Sequence, residues 1–285
     1  MIPRVIKRAV KEILPKRPPL PERQWLQAEA LFTITTGRTG TTTTLLKLLN
    51  TSPHLLVSDE PEPQLLEALR SMRIRPWEVT EERMRLFKDA RARLISRAHR
   101  RGRVYVEGGG LKWLAPTIAE LMPRAKFLFL HRHPFEFIVA GLKRGWYSHH
   151  INDPYRIVPA SDEPAAAQWS NWTLVQRITW HWNIENRYFL DVLERLGPNR
   201  VLEIPFNILV DSNAAPHVQL FDFLGVEVPR SSRISRILAT RYNAEADGQA
   251  LTPGEWADDT LQFIEQHAGD TMARLGYAVR ASNSR

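Results

Sequence analysis

The chain has 285 residues, 43% of them hydrophobic and 25% charged, with a formal net charge of +8 and no cysteine. That balance is globular, and the missing thiols exclude disulfides and thiolate metal centres and fit a reducing cytosol. No apolar run reaches membrane-span length and the N-terminus lacks a signal-peptide core, so a soluble cytoplasmic protein is expected. The positive charge points to anionic partners: nucleotides, sulfated or phosphorylated substrates, nucleic acid or an acidic membrane surface.

Residues 1–24 place Val5, Ile6, Ala9, Val10, Ile13 and Leu14 on one helical face, with Arg4, Lys7, Arg8 and Lys11 elsewhere, ahead of a proline-rich linker. Such a helix suits peripheral contact with a membrane, although packing on the body or standing as a loose arm is the commoner fate of a terminus. Residues 25–285 read as one α/β domain. A strand is expected at about 31–36, a helix at about 41–50 and a loop through 51–63. Residues 80–101 read as a long basic helix with Phe87, Arg91, Leu94 and Ala98 on one face. No aromatics interleave with its arginines, so a solvated face is expected rather than a nucleic-acid stripe.

Apolar runs at 103–109 and 125–132 read as buried strands, with a crossover helix at 114–122 between them. Pro134 opens another helix. A tryptophan-rich helix at about 168–196, a strand at 199–205, a helix at 216–226 stopped by Gly225 and a last helix at 256–275 complete the chain. Strands alternating with helices predict a central, mostly parallel sheet flanked by helices on both faces, with ligands at the carboxyl ends of the strands.

At the first of those ends stands "LFTITTGRTGTTTTLL", residues 31–46. A strand that turns through Gly37, Arg38, Thr39 and Gly40 into a helix presents unpaired N–H groups and the positive end of the helix dipole at one point, which is a phosphate cradle. A nucleoside-triphosphate loop has lysine and Ser/Thr directly after its second glycine. Here Gly40 is followed by Thr41, and Arg38 precedes it. A second basic strand–turn–helix corner follows at Arg132 in "KFLFLHRHPFEFIVAG". Two such corners in one sheet suit a ligand with two separate phosphates.

At these residues the sequence resembles the sulfotransferases that use 3′-phosphoadenosine 5′-phosphosulfate (PAPS). The family's Lys/Arg-Ser/Thr-Gly-Thr-Thr turn is similar to Arg38-Thr39-Gly40-Thr41-Thr42, and its Arg-x-Pro corner to Arg132-His133-Pro134. "VLEIPFNILVDSNAAPHVQLFDFLGV" looks like the family's strand, acidic loop and "FLG" segment, and "WADDTLQFIEQHAGDTMARLGY" like its terminal helix. The resemblance implies a P-loop-like single α/β domain, PAPS as donor and 3′,5′-adenosine bisphosphate (PAP) as product. It assigns Gly37, Arg38, Thr39, Gly40, Thr41 and Thr42 to the phosphosulfate and Arg132 to the 3′-phosphate. The chain departs from the pattern at Ala140, where the family has a serine, and at Phe206-Asn207, where it has Tyr-Glu. Either Lys143 or Arg144 is a candidate electrostatic stand-in for that serine, and the 230–250 stretch with Arg233, Arg236 and Arg241 is a candidate third nucleotide loop.

Sulfuryl transfer needs a base for the acceptor hydroxyl, cations and amides for the charge on the transferring group, and in-line positioning. The resemblance places the base at Glu60, with Asp59, Glu62 and His54 as alternatives, and the cation at Arg38. Lys112 faces nucleotide, acceptor or plain solvent. No metal is expected, since the nine histidines show no ligand spacing. Trp146, Tyr147, Trp169, Trp172, Trp180 and Trp182 form either core or an aromatic wall for a sugar, phenol or lipid headgroup, and residues 145–159 are a candidate lid. The rival classes are a nucleotide-dependent phosphoryl-transfer enzyme and a non-catalytic anion-binding module.

Overall fold

Short apolar runs bounded by turn residues pair here into one sheet. A computed structural model describes residues 17–37, 44–59, 63–150, 153–211, 216–239 and 256–278. Strands β1 (Ala30–Ile34), β2 (Leu55–Ser58), β3 (Val104–Glu107), β4 (Ala125–His131) and β5 (Val201–Pro205) lie in the order β2-β3-β1-β4-β5. Every pairing is parallel, with Phe32 of β1 opposite both Glu107 of β3 and Phe127 of β4. Around the sheet stand α1 (Leu46–Leu49), α2 (Pro63–Met72), α3 (Glu81–His99), α4 (Ala115–Leu121), α5 (Pro134–Lys143), α6 (Leu174–Leu196), α7 (Pro216–Leu224), α8 (Ser231–Ala239) and α9 (Asp258–Arg274).

Because successive strand residues point to opposite faces, the sheet feeds two cores. Phe32, Ile34, Tyr105, Phe127 and Phe129 pack with residues of α3, α4, α5, α6 and α9. Leu31, Val106, Leu128, Leu130 and Ile204 pack with α1, α7 and α8. Each fully buried Phe or Leu contributes roughly 1.5–3 kcal/mol. This is the α/β sheet covered on both faces that the alternation predicts.

Three elements differ from the sequence expectation. The segment 51–63 contains β2, an edge strand whose four residues are too few to show a period, although Leu55 and Leu56 are buried against β3. Helix α2, with Leu65, Leu69 and Met72 buried at a spacing of four and three, was also unpredicted. The tryptophan-rich helix starts at Leu174 rather than 168 because Thr173 and Gln176 form a capping box, with 3₁₀ turns before it.

Helix α3 follows the expectation on its outer face, where Arg85, Arg93 and Arg97 are exposed. Two of its arginines do not. Arg83 caps the carbonyls of Arg75 and Glu78. Arg91 lies in the core and forms a two-pronged ion pair with Glu107, Nε to Oε2 at 2.7 Å and Nη2 to Oε1 at 3.0 Å, to which Tyr105 adds its hydroxyl. Both partners are at most 2% exposed. The linker also docks on α3: Leu20 N donates to Ser96 Oγ (2.9 Å), and Arg100 Nη2 to the Pro18 carbonyl (2.7 Å). Residues 1–16, the predicted amphipathic helix, lie outside the described residues.

Removing one partner of a buried pair strands the other charge. Arg91→Met is therefore expected to lower unfolding free energy by about 3–5 kcal/mol in urea titration, and Arg91→Met with Glu107→Leu by clearly less. Equal losses would show that the pair's geometry, not its charge balance, carries the fold.

Candidate functional site

Parallel sheets bind ligands where neighbouring strands send their helices to opposite faces. Strands β1 and β4 are such neighbours: α1 joins one core and α5 the other. Their carboxyl ends, about 4.8 Å apart in the sheet, carry the cradle and the Arg132 corner. The sheet thus sets the exit at Gly37 next to the exit at Arg132. Gly37 leaves β1 with φ +81°, a left-handed conformation that favours glycine. Arg38, Thr39, Gly40, Thr41 and Thr42 lie outside the described residues. The Trp146 indole stands 3.9 Å from where a Gly37 side chain would begin.

The corner is built on α5. His133 caps the helix by accepting from Phe135 N (3.2 Å), and Pro134 takes its first turn. Arg132 Nε donates to Glu136 Oε2, and its guanidinium stands 5.4 Å from the centre of the Phe206 ring. Phe206, the residue in place of the family's tyrosine, thus offers a face in place of a hydroxyl. The Arg132 carbonyl accepts from Trp182 Nε1 (2.9 Å), which fixes the corner backbone to α6. Behind it, fully buried His131 lies between Tyr277 OH (2.7 Å) and Glu203 Oε1 (3.1 Å). A carboxylate only accepts, so Nε2 donates to Glu203, and the Tyr277 hydroxyl is the partner of Nδ1. Ala140 follows Arg132 and Glu136 at intervals of four, on one stripe of α5. Lys143 is exposed about 14 Å along the axis from Pro134.

On the other side of β1, the exit of β3 is almost in contact. A side chain at Gly109 would begin 2.7 Å from Thr35 Cγ2, and one at Gly108 2.9 Å from Asp59 Oδ1. Asp59, at the exit of β2, therefore leans over β3 toward the cradle. Glu60 and Glu62 lie outside the described residues; His54 is exposed at the opposite end of β2.

The 3₁₀ segment Gly109–Leu114 then turns Lys112 inward. Its Nζ donates to the Thr35 carbonyl (3.3 Å) and pairs with Glu185 Oε1 of α6 (2.5 Å). Glu185 Oε2 stands 3.3 Å from His181 Nε2, and His181 Nδ1 2.8 Å from Tyr147 OH. Burial alone would raise the Glu185 carboxyl, but the Lys112 ammonium, 2.5 Å from it, is the largest influence holding it below the usual range. Burial also pushes the His181 imidazole down, against Glu185. This polar row was not predicted. Its signal is Glu185 within the apolar stripe Ile178, Trp182, Phe189, with His181 four residues before it.

The candidate lid is a wall. Asp153 accepts from the amides of Tyr147 (3.1 Å) and His150 (2.9 Å) and from Arg156 Nε (2.7 Å). Arg156 in turn lies 3.7 Å over the Trp146 ring. Tyr147 is held at φ +62°, unusual for a bulky residue. Trp146, Trp172, Trp180 and Trp182 are buried, so the tryptophans are mostly core, with Tyr147 and Trp169 half-buried. Arg233 and Arg236 lie on helix α8 rather than in a loop, and Arg241 is outside the described residues. Among the described residues no helix is long and apolar enough to cross a membrane and no group of side chains is placed to hold a metal.

The chain matches the family described as "Sulfotransferase family" over residues 30–230. Comparison with curated proteins finds no match. Among solved structures it is similar to the sulfotransferase domain from the curacin biosynthetic pathway, at 18% identity and TM-score 0.49 over 89% of this chain and 99% of that one. The sulfotransferase from Alicyclobacillus acidocaldarius aligns at 17% identity and TM-score 0.49 over 87% and 94%. Mouse sulfotransferase SULT7A1, solved with PAP, aligns at 11% identity and TM-score 0.42 over 87% and 84%.

Burial depresses the imidazoles of His133, His181 and His217 below 6.5. Unfolding lets them protonate near 6.5, so the stability their burial requires is present above that pH and lost as pH falls. Unfolding free energy from urea titrations should decline between pH 7 and 5.5, less steeply in His181→Phe. An unchanged slope in the variant would show that His181 is as easily protonated folded as unfolded.

Proposed function

Since the chain belongs to the sulfotransferase family, we propose that it moves a sulfuryl group from PAPS to an acceptor hydroxyl, releasing PAP. The observation that carries this reading is the pair of basic strand exits, β1 and β4, side by side with their helices on opposite faces. A triphosphate–magnesium site needs one cradle and a lysine after its second glycine; a donor with a 5′-phosphosulfate and a 3′-phosphate needs two cradles.

In this reading Gly37 and the amides of Thr39, Gly40, Thr41 and Thr42 hold the phosphosulfate, and Arg38 neutralises the bridging oxygen as the S–O bond breaks. Arg132, seated over Phe206 and released from Glu136, takes the 3′-phosphate, while Lys143 and Arg241 add longer-range positive charge. Glu60 removes the acceptor proton as the hydroxyl attacks sulfur in line. Asp59 lies one residue away and leans over the exit of β3, which supports placing the base at this end of β2. Lys112, resting on the Thr35 carbonyl, is a second cation next to the cradle. The wall of Trp146, Tyr147 and Arg156 suits a hydroxyl on a sugar, phenol or lipid headgroup. For a lipid acceptor, the basic segment 1–16 suits peripheral contact of a cytoplasmic enzyme with the membrane.

Thermal shift tests the donor. PAP should raise the melting temperature, whereas AMP and ATP with Mg²⁺ should leave it nearly unchanged, because only ligand bound to the folded state stabilises. A shift with ATP–Mg²⁺ alone would favour phosphoryl transfer. Glu60→Gln should keep the PAP shift and lower turnover about 10²–10⁴-fold; loss of both would make Glu60 structural. Arg132→Ala should sharply reduce the PAP shift, and an undiminished PAP shift would remove the 3′-phosphate from that corner.

A further inference from the structure

The hydrogens in the row beneath the cradle can be counted. The Ile157 carbonyl can only accept, so the Tyr147 hydroxyl, 2.7 Å away, spends its one hydrogen there. The Tyr147 oxygen is then an acceptor for His181 Nδ1 at 2.8 Å, which must carry a hydrogen. In a neutral imidazole this leaves Nε2 bare, with its lone pair facing Glu185 Oε2 at 3.3 Å. Both atoms are buried and neither has a hydrogen-bond partner. Unsatisfied buried groups of this kind cost free energy and mark strain or function. One added proton between them would turn the opposed lone pairs into a charge-assisted hydrogen bond.

The other oxygen of Glu185 is held by Lys112, whose Nζ also touches the Thr35 carbonyl two residues before Gly37. We propose that Glu185 and His181 are positioning residues that lend Lys112 to the bound anion: as Lys112 turns from Glu185 toward the cradle, His181 takes a proton from solvent and replaces it as the carboxylate's partner. Without that exchange Lys112 would leave a buried, unpaired carboxylate behind, which is strongly unfavourable. The groups facing His181 are consistent with one added proton. Glu185 of its own helix attracts it, Lys112 after β3 and Arg156 of the wall oppose it, Tyr147 accepts from Nδ1, and the rings of Phe137 on α5 and Trp146 after it lie alongside. Burial keeps the imidazole neutral while Lys112 stays on Glu185.

The inference rests on the anionic donor reading above, and one experiment separates the two. PAP is titrated calorimetrically at pH 8 in buffers of low and high ionisation enthalpy, where phosphates of second pKa about 6 are already ionised and any uptake belongs to the protein. Wild type is expected to take up a proton on binding, and its affinity to weaken as pH rises, up to about tenfold per unit. In His181→Gln, whose amide can donate to Glu185 at every pH, and in Glu185→Gln, the uptake should vanish and the pH profile flatten. PAP binding without uptake in wild type, or with the same uptake in a folded variant, overturns the exchange and leaves the donor reading intact. If wild type does not bind PAP, the donor reading and the exchange fall together. Should both variants fail to fold by circular dichroism, the wild-type proton count alone decides.

Discussion

The Lys112–Glu185 pair joins three pieces of chain: the exit of β1 through the Thr35 carbonyl, the segment after β3, and the middle of α6. A buried ion pair is poor value as a stabiliser, because desolvating two charges consumes most of their attraction. Apolar residues of similar volume would pack α6 against the sheet as well or better. What the charged pair adds is a fixed location for an ammonium beside the cradle and a second carboxylate oxygen for His181. Through His181 and Tyr147 the same row reaches the wall that Asp153 and Arg156 stiffen. The Thr35 exit of β1 and the face of the wall are therefore joined by one row of polar side chains, hydrogen-bonded except between Glu185 Oε2 and His181 Nε2.

Four of the five strands were legible as short apolar runs bounded by turn residues. β3 and β4 are buried on both faces and read as continuous apolar runs, and Pro134, Gly197 and Gly225 mark helix ends by the backbone angles they permit. β2 was not legible, since four residues at an edge carry no period and the proline cluster at 61–63 reads as a breaker. Arg91 was placed on the right face of its helix, yet its partner Glu107 sits sixteen residues away on a strand whose sequence gives no hint of a buried cation. Pairing across that distance is a property of the fold, not of the local pattern.

The site divides the same way. Gly37 and Arg132 stand at strand exits, where the strand-to-helix change is visible in sequence. Glu185 was missed because a single carboxylate amid Ile178, Trp182 and Phe189 looks like a surface residue until the helix is turned inward on both flanks. The tryptophans were open to both readings, core or binding wall, since their spacing fits either, and four of the five are buried. Phe206 gained meaning only beneath Arg132: a ring face can hold a guanidinium in place without competing for the ligand's oxygens.

The linker at Pro18 and Leu20 is fastened to the last turns of α3, next to the start of β3, whereas the candidate site lies where β3 ends. A strand of four residues spans about 13 Å. The described part of the linker therefore enters at the end of the sheet opposite the carboxyl ends of the strands, and those strand exits are left clear of it.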